Sequence, residues 1–224
     1  GFVVFSGSAG VNDTDGNNIE VKDFSGAEFL GFSSDKSGKS VLALNKSSYT
    51  IESKLFLPPI ENGNEIICQK LSGSNGYTLA VSSSTSTSSA SVVFAIRSGS
   101  TSLVTSASLL KNQFNHVAIV YDKSDSDGRL NFFVDANLVA SSSKTADFGE
   151  IDFKTSSLFL GSGSLHAGVL DDDLDFSPTQ TLSGALDEFR VFREARTKDQ
   201  IEQNKERNIF SSRNLLLYYK FNEP

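Results

Sequence analysis

The alternation of apolar and polar residues with a period of two is the feature that most constrains this chain. In residues 49–55 the apolar Tyr49, Ile51 and Leu55 alternate with polar residues, and Pro58 follows soon after. This pattern predicts a half-buried β-strand that ends before the proline. Further strand-like segments follow at 65–70, 77–81, 91–97, 114–122, 130–134, 158–161, 185–192 and 215–221. Many short strands separated by turn residues predict an all-β fold of two packed sheets.

One short helix interrupts the strand pattern near the C-terminal end. Thr197 followed by Gln200 matches a capping box, and Asp199 lies in the first turn, where negative charge is favourable. The body, from Lys198 to about residue 205, is polar apart from Ile201. We expect a surface helix.

Composition excludes several classes of function. The chain has 20 basic and 27 acidic residues, a net charge of -7, which argues against nucleic acid as a partner. It has no apolar run long enough for a membrane helix and no signal-peptide pattern, so we expect no membrane insertion. Both ends are strand-like, and we interpret the chain as one module with flanking domains in a longer polypeptide. The single cysteine, Cys68, lies in an apolar run and is expected to be buried and inert.

Five segments together resemble the laminin-G-like family of concanavalin A-like jelly rolls. Residues 114–118, 121–122 and 128–135 are similar to its central hairpin, and 158–161 and 184–192 are similar to later strands. The resemblance covers about residues 40 to 221 and implies a two-sheet antiparallel jelly-roll sandwich with one short surface helix. It places a laminin-G-like domain at 36–224. Residues 1–35 form an N-terminal strand and loop region, either part of this domain or the tail of a preceding module.

The chain departs from the family pattern at two positions of the central hairpin. Phe114 stands where the family has Trp, and Ala136 stands where it has a turn glycine. A two-residue hairpin turn needs positive φ, which alanine resists, so Asn137 is expected to take the left-handed position. The resemblance implies that His116 belongs to the strand scaffold.

Glycoside hydrolysis is the enzymatic alternative. Glu150 and Asp152 share a strand face, as in glucanases of the same fold, but Lys154 and Thr155 stand where the second glutamate should be. Retaining hydrolysis requires two carboxyl groups about 5 Å apart. We therefore expect no catalytic residues and no enzyme.

Calcium is the cofactor that the acidic residues suggest. Asp13, Asp15 and Asn17 offer alternating oxygen ligands around a glycine, which suits Ca²⁺, although such residues are equally typical of a turn. Strand alternation places Asp187 on the inward face with Phe189, where a carboxylate must be paired, hydrogen-bonded or coordinated. Structural Ca²⁺ held by Asp13, Asp15, Asn17 and Asp187 is therefore predicted, with backbone amides as the alternative partner of Asp187.

The remaining candidate residues lie in turns and loops. Asp125 and Asp127 suit a hairpin turn, and Asp171–Asp173 with Asp175 suit a solvated loop or a cation. His166 lies in a loop near that acidic run, with its role left open.

These observations favour a non-catalytic binding or adhesion module of a larger, extracellular or surface-exposed protein. We expect it to recognise a glycan or a surface protein, with Tyr77, Tyr121 and the loop 171–175 as contributors. The alternatives are a structural spacer or exposed domain of a virion appendage or adhesin stalk, and a glycoside hydrolase.

Overall fold

A computed structural model provides the structure of the protein, and it contains fourteen strands and one helix in its described part. It describes residues 3–5, 20–21, 42, 47–59, 63–82, 86–124, 128–142, 148, 158–166, 178, 180–209, 212 and 214–221. The elements are β1 (Val3–Phe5), β2 (Glu20–Val21), β3 (Tyr49–Phe56), β4 (Glu65–Ser72), β5 (Asn75–Ser82), β6 (Ser89–Ser98), β7 (Thr101–Leu110), β8 (Phe114–Asp122), β9 (Arg129–Val134), β10 (Asn137–Ser141), β11 (Leu158–Leu160), β12 (Gln180–Thr181), β13 (Gly184–Phe192), α1 (Lys198–Asn204) and β14 (Leu215–Tyr219).

The strands form two sheets that pack face to face. Sheet A has the order β1-β13-β3-β8-β9-β10, with β14 also paired to β13, and sheet B has the order β2-β11-β4-β5-β6-β7. All pairings are antiparallel except the short one between β12 and β4. The predicted all-β sandwich with one short helix is confirmed.

Most strands match their predicted segments, but the long strand β7 was not predicted, and neither were the shorter β2, β10 and β12. Strand β7 reads TSLVTSASLL, and its buried positions include Thr105 and Ala107 as well as leucines. Serine, threonine and alanine fill most of the strand. The residues that face the core therefore do not differ from the outward ones as apolar residues differ from charged ones, and the period-two pattern is weak. The pairing of all ten residues with β6 defines the strand.

The core lies between the inward faces of the two sheets. Tyr49 and Tyr121 extend from sheet A with their ring centroids 5.2 Å apart, and the Tyr49 ring stacks on Tyr77 of sheet B with a centroid distance of 6.3 Å. All three side chains are at most 2% exposed. Aromatic rings of this size supply a large part of the buried apolar area of such a sandwich.

The turn between β9 and β10 differs from the expectation at Ala136. Asp135 and Ala136 both have positive φ, 50° and 66°, whereas Asn137 is already paired with Val134 in the strand. The expectation for Asn137 is wrong because this register leaves only two turn residues, and both must be left-handed. The Ala136 methyl group is fully buried, so packing offsets part of the backbone strain.

Helix α1 lies on the outer face of sheet A. The capping box is present: Gln200 N donates to Thr197 Oγ1, and Thr197 N donates to Gln200 Oε1. Ile201 is fully buried in a small cluster that contains Ala118, Val120, Phe133 and Ala136. The helix therefore covers the middle strands of sheet A. No helix in the described part of the chain is long and apolar enough to cross a membrane.

Candidate functional site

Most of the candidate site residues named from the sequence lie outside the described residues, so their predictions stay untested. These are Asp13, Asp15, Asn17, Asp125, Asp127, Glu150, Asp152, Lys154 and the run from Asp171 to Asp175. Asp187, His116, His166, Cys68, Tyr77 and Tyr121 are described.

Asp187 does not lie on the inward face that strand alternation predicts. It pairs with Lys54, and a bulge separates this pair from the next one, which joins Arg190 to Glu52 on the same outer face. The bulge contains Glu188, whose φ is +54°. One extra residue reverses the alternation, so Asp187 and Phe189 face opposite sides of sheet A.

The surroundings of Asp187 do not by themselves fit a calcium ion. Its Oδ1 accepts a hydrogen bond from the backbone N–H of Glu188 at 2.9 Å, and its strand neighbour Lys54 is a cation. Burial raises the pKa of Asp187, and the adjacent Glu188 carboxylate raises it further. Within the described ranges, no three His, Cys, Asp or Glu side chains gather as a metal-binding group.

The two tyrosines expected at a binding surface are in the core. Tyr77 and Tyr121 are both 0% exposed. Their positions on β5 and β8 point between the sheets, so the contribution predicted for them is wrong. Cys68 is also fully buried, and burial raises the pKa of its thiol to about 12. This confirms the expectation of a buried cysteine, and its inertness stays a prediction.

A buried group of ionisable side chains, here called the helix clasp, joins the outer face of sheet A to the segment around α1. It consists of Glu52, His116, Arg190 and Arg196, which are all at most 5% exposed. Arg196 Nη1 lies 2.6 Å from Glu52 Oε1, and Arg190 Nη1 and His116 Nε2 each lie 3.7 Å from Glu52 Oε2. The expectation that His116 is part of the scaffold agrees with this burial.

The arginines of the helix clasp also bind the backbone around the helix. Arg196 Nη2 donates to Gln200 O at 2.9 Å, and Arg190 Nη1 donates to Asn204 O at 2.9 Å. Buried charges need such additional partners, because desolvation offsets much of their mutual attraction. The helix clasp therefore fixes α1 on the sheet and offers no open surface to a ligand.

A second polar group, here called the His166 cluster, lies on the outer face of sheet B. It comprises Gln69, Thr78, Ser164 and His166. Gln69 Nε2 donates to Thr78 Oγ1 at 2.9 Å, and Thr78 Oγ1 lies 3.0 Å from His166 Nδ1. His166 Nε2 lies 3.1 Å from the carbonyl oxygen of Ser74.

These contacts assign the tautomer of His166. The carbonyl of Ser74 can only accept, so Nε2 carries the proton, and Nδ1 accepts from the Thr78 hydroxyl. His166 is 3% exposed. Burial lowers the pKa of His166 to about 4, against a smaller opposing effect of the Ser74 hydrogen bond, and the charge of Arg97 lowers it further. His166 is therefore neutral near pH 7, with both ring nitrogens engaged.

The His166 cluster holds an exposed loop in place. Gln69 receives a hydrogen bond from Ser164 N at 2.7 Å and donates one to Ser164 O at 2.7 Å. A Cβ at Gly163 would collide with the Gln69 side chain, so glycine permits this close approach. The neighbouring Leu165 is 51% exposed. The Gln69 side-chain amide thus makes with the Ser164 main chain the pair of hydrogen bonds that a neighbouring strand would make. In this position Ser164 and Leu165 are exposed to solvent.

Two further side chains share the outer face of sheet B with this loop. The Cα register pairs Phe159 with Gln69 across β11 and β4, so the half-buried Phe159 ring shares the outer face of sheet B. Arg97, also half-buried, lies on the same face and is close enough to His166 to affect its pKa. We define the loop rim as Arg97, Phe159, Ser164 and Leu165.

The loop rim combines the kinds of group that bind polar ligands. Ser164 offers a hydroxyl group, Arg97 offers charged N–H donors, and Phe159 and Leu165 offer apolar contact. Little in the sequence indicates the loop rim, because Arg97 and Leu165 are 68 positions apart along the chain. The resemblance of residues 158–161 to a family strand and the loop position of His166 were the signals that pointed to this region. His166 has no free nitrogen for proton transfer, so the arrangement suits binding rather than acid–base catalysis.

Comparison with known proteins assigns the family. A sequence profile of the concanavalin A-like lectin/glucanases superfamily matches residues 31–202. The chain therefore belongs to this superfamily, and the predicted concanavalin A-like sandwich is confirmed. Comparison with curated protein sequences finds no significant match.

Solved structures show the same fold at low sequence identity. A protein from Bacteroides ovatus ATCC 8483 with a proposed role in carbohydrate binding has a TM-score of 0.54 at 21% identity, over 79% of this chain and 46% of that chain. The IT-sialidase CBM40 of Ruminococcus gnavus, bound to α2,3-sialyllactose, has a TM-score of 0.55 at 15% identity, over 90% of this chain and 95% of that chain. The chain thus spans about half the length of the first of these proteins.

Proposed function

We propose that the chain is a non-catalytic glycan-binding module that uses the loop rim of sheet B. The observation that carries the proposal is the double hydrogen bond between the Gln69 amide and the Ser164 main chain. It holds an exposed polar and apolar loop in a defined position on the same face of sheet B as Arg97. Such preorganisation lowers the entropic cost of binding a flexible sugar.

The relatives support glycans as the ligand class. The superfamily includes lectins, and the R. gnavus module, which matches nearly its whole length, is bound to a sialylated sugar. Glycans present many hydroxyl groups and apolar ring faces, and the loop rim offers donors, acceptors and the Phe159 ring. A surface protein is the second ligand class under this proposal. We place the module in a larger extracellular or surface-exposed protein, as an adhesin or virion component would be.

Calcium remains a separate proposal within this function. Its predicted ligands Asp13, Asp15 and Asn17 would have to approach Asp187, whose described surroundings provide a lysine and a backbone amide. A glycan array on the purified chain, with millimolar Ca²⁺ and then with EDTA, tests both proposals. Binding in both conditions supports a glycan-binding module that needs no metal, and binding lost with EDTA supports a calcium-dependent lectin.

The same array separates the remaining alternatives. No binding to any glycan or to a panel of extracellular proteins would contradict the proposal and favour a structural spacer. Release of reducing sugar from a bound glycan would show a hydrolase, and Glu150→Gln would then be expected to abolish the release. The binding module is expected to retain its glycans unchanged over the same incubation.

A further inference from the structure

Two hairpin turns of sheet B lie side by side at the end of the sheet that carries Arg97. The β4–β5 turn consists of residues 73–74, and the β6–β7 turn consists of residues 99–100. Because Gly76 pairs with Arg97 across β5 and β6, the two turns are neighbours in space. Arg97, the charged residue of the loop rim, therefore lies between one turn along its own chain and another turn beside it.

A chain of two hydrogen bonds connects Arg97 to the residue that follows the β4–β5 turn. Arg97 Nε donates to Gly99 O at 2.8 Å, and Gly99 N donates to Asn75 Oδ1 at 2.8 Å. Asn75 is the first residue of β5. The Asn75 side chain therefore reaches Arg97 through the backbone of Gly99.

The bond from Gly99 N matters because packing does not hold the β6–β7 turn at this residue. Gly99 is exposed, and a Cβ at this position would have no described atom within 4 Å. Its φ is 61°, which glycine adopts without strain, but glycine also has the largest backbone freedom of all residues. The hydrogen bond to Asn75 restricts this freedom and with it the position of the Gly99 carbonyl that accepts from Arg97.

The residue before Asn75 holds the other half of the loop rim. The carbonyl oxygen of Ser74 accepts the hydrogen bond from His166 Nε2 at 3.1 Å. His166 belongs to the cluster that fixes Ser164, through Thr78 and the Gln69 amide. Two successive residues, Ser74 and Asn75, thus bind both the loop that contains Ser164 and the turn that holds Arg97.

We propose that Asn75 is a positioning residue of the glycan site, and that it sets the place of the Arg97 guanidinium relative to the Ser164 loop. The binding role rests on the proposed function, whereas the positioning of Arg97 does not require a ligand. An arginine that its own protein already holds loses less side-chain entropy when a sugar binds, so the affinity is higher. Asn75 would therefore contribute to affinity through Arg97, which makes the contact with the glycan.

The exchange of the Arg97 Nε–H proton with water, measured by NMR, gives a readout that needs no glycan. An Nε–H that donates a hydrogen bond exchanges more slowly than a solvated one. Asn75→Ala should raise the exchange rate about fivefold or more, as expected for the loss of one hydrogen-bonded arrangement. Asn75→Asp keeps an oxygen acceptor for Gly99 N and should retain the wild-type rate. The matched control is Asn137→Ala, since Asn137 is also the first strand residue after a hairpin turn but lies in sheet A.

The glycan array then measures the consequence for binding. Asn75→Ala should raise the protein concentration that gives half-maximal signal about threefold to tenfold, and Asn137→Ala should leave it unchanged. In a chain that already carries Arg97→Ala, the further change Asn75→Ala should have no effect, because Asn75 acts through Arg97. A merely structural role of Asn75 would instead lower the affinity by the same factor with or without Arg97.

Several results would overturn the proposal. Fast exchange of the Arg97 Nε–H in the wild type would show that the guanidinium is not held, and this measurement needs no variant. An unchanged exchange rate in Asn75→Ala, once thermal unfolding has shown that the variant is folded, would mean that other contacts hold Arg97. Equal losses of affinity with and without Arg97 would show a general effect on the fold.

The two readouts also separate this proposal from the proposed function. A wild-type chain that binds no glycan contradicts the proposed function and with it the binding role of Asn75, whereas the exchange rate decides by itself whether Asn75 positions Arg97. Unchanged glycan binding in a variant whose Arg97 exchanges fast would contradict the binding role alone.

Discussion

Replacing His166 with glutamine should remove a large part of the acid sensitivity of the folded state. In the native protein, burial lowers the pKa of His166 to about 4, compared with 6.5 for an unperturbed histidine. Both ring nitrogens have partners, Thr78 Oγ1 and the Ser74 carbonyl, that fit the neutral ring. Protonation of His166 at Nδ1 removes the acceptor of the hydrogen bond that the Thr78 hydroxyl donates.

The sign follows from the two pKa values. Above pH 6.5 His166 is neutral in both states, so it contributes no pH dependence. Between pH 6.5 and about 4 the unfolded chain binds a proton that the folded chain does not, so stability falls as the pH falls. The difference between the two pKa values corresponds to about 3 kcal/mol, lost in full by about pH 4.

Urea unfolding at pH 7.5, 6, 5 and 4 measures this contribution. The free energy of unfolding of the wild type should fall by about 3 kcal/mol more over this range than that of His166→Gln, because carboxylates titrate equally in both proteins. His166→Gln will also differ from the wild type in its free energy of unfolding at pH 7.5, because it loses hydrogen bonds. Only the change in the free energy of unfolding with pH is therefore compared. Parallel curves for the two proteins would refute the assignment of a buried, neutral His166.

Three other predictions test the remaining elements. Glu52→Gln should lower the free energy of unfolding by about 3 kcal/mol in urea unfolding, because it leaves Arg196 buried without its carboxylate, whereas Arg190 keeps that of Glu188. A change below about 1 kcal/mol would contradict the helix clasp. Thr197→Ala should cost about 1 kcal/mol in the same assay by removing the capping box, and an unchanged stability would show that the cap contributes nothing. Cys68 should react with a thiol reagent only after denaturation, and rapid reaction of the native chain would contradict its burial.

The sequence was sufficient to predict the architecture because period-two patterning and the capping box are local signals. The strands β3, β8 and β13 and the helix α1 lie where these signals placed them. β7 was missed because its serines and threonines occupy both faces. The prediction for the turn at Ala136 is wrong because the hairpin register and the packing of the Ala136 methyl group decide the backbone conformation there. The intrinsic preference of alanine for negative φ is overridden.

Features of the candidate site were harder to predict because they depend on long-range register. One bulge residue decides on which face of sheet A Asp187 lies, and no local sequence pattern reveals the bulge. Tyr77 and Tyr121 appeared suitable for a surface by residue type, but strand alternation buries them. The Gln69 amide and Ser164 are 95 positions apart along the chain, so their double hydrogen bond becomes visible only in the folded structure.

Calorimetric titration with the glycan that binds most strongly on the array tests the central claim most directly. The variants are Arg97→Ala at the loop rim and Arg129→Ala on β9 of sheet A, since Arg129 is an exposed arginine on the other sheet. We predict that Arg97→Ala weakens glycan binding about tenfold or more, as expected for a charged hydrogen bond, and that Arg129→Ala leaves it unchanged. Equal affinities for the wild type and Arg97→Ala, or a larger loss in Arg129→Ala, would contradict a glycan site at the loop rim.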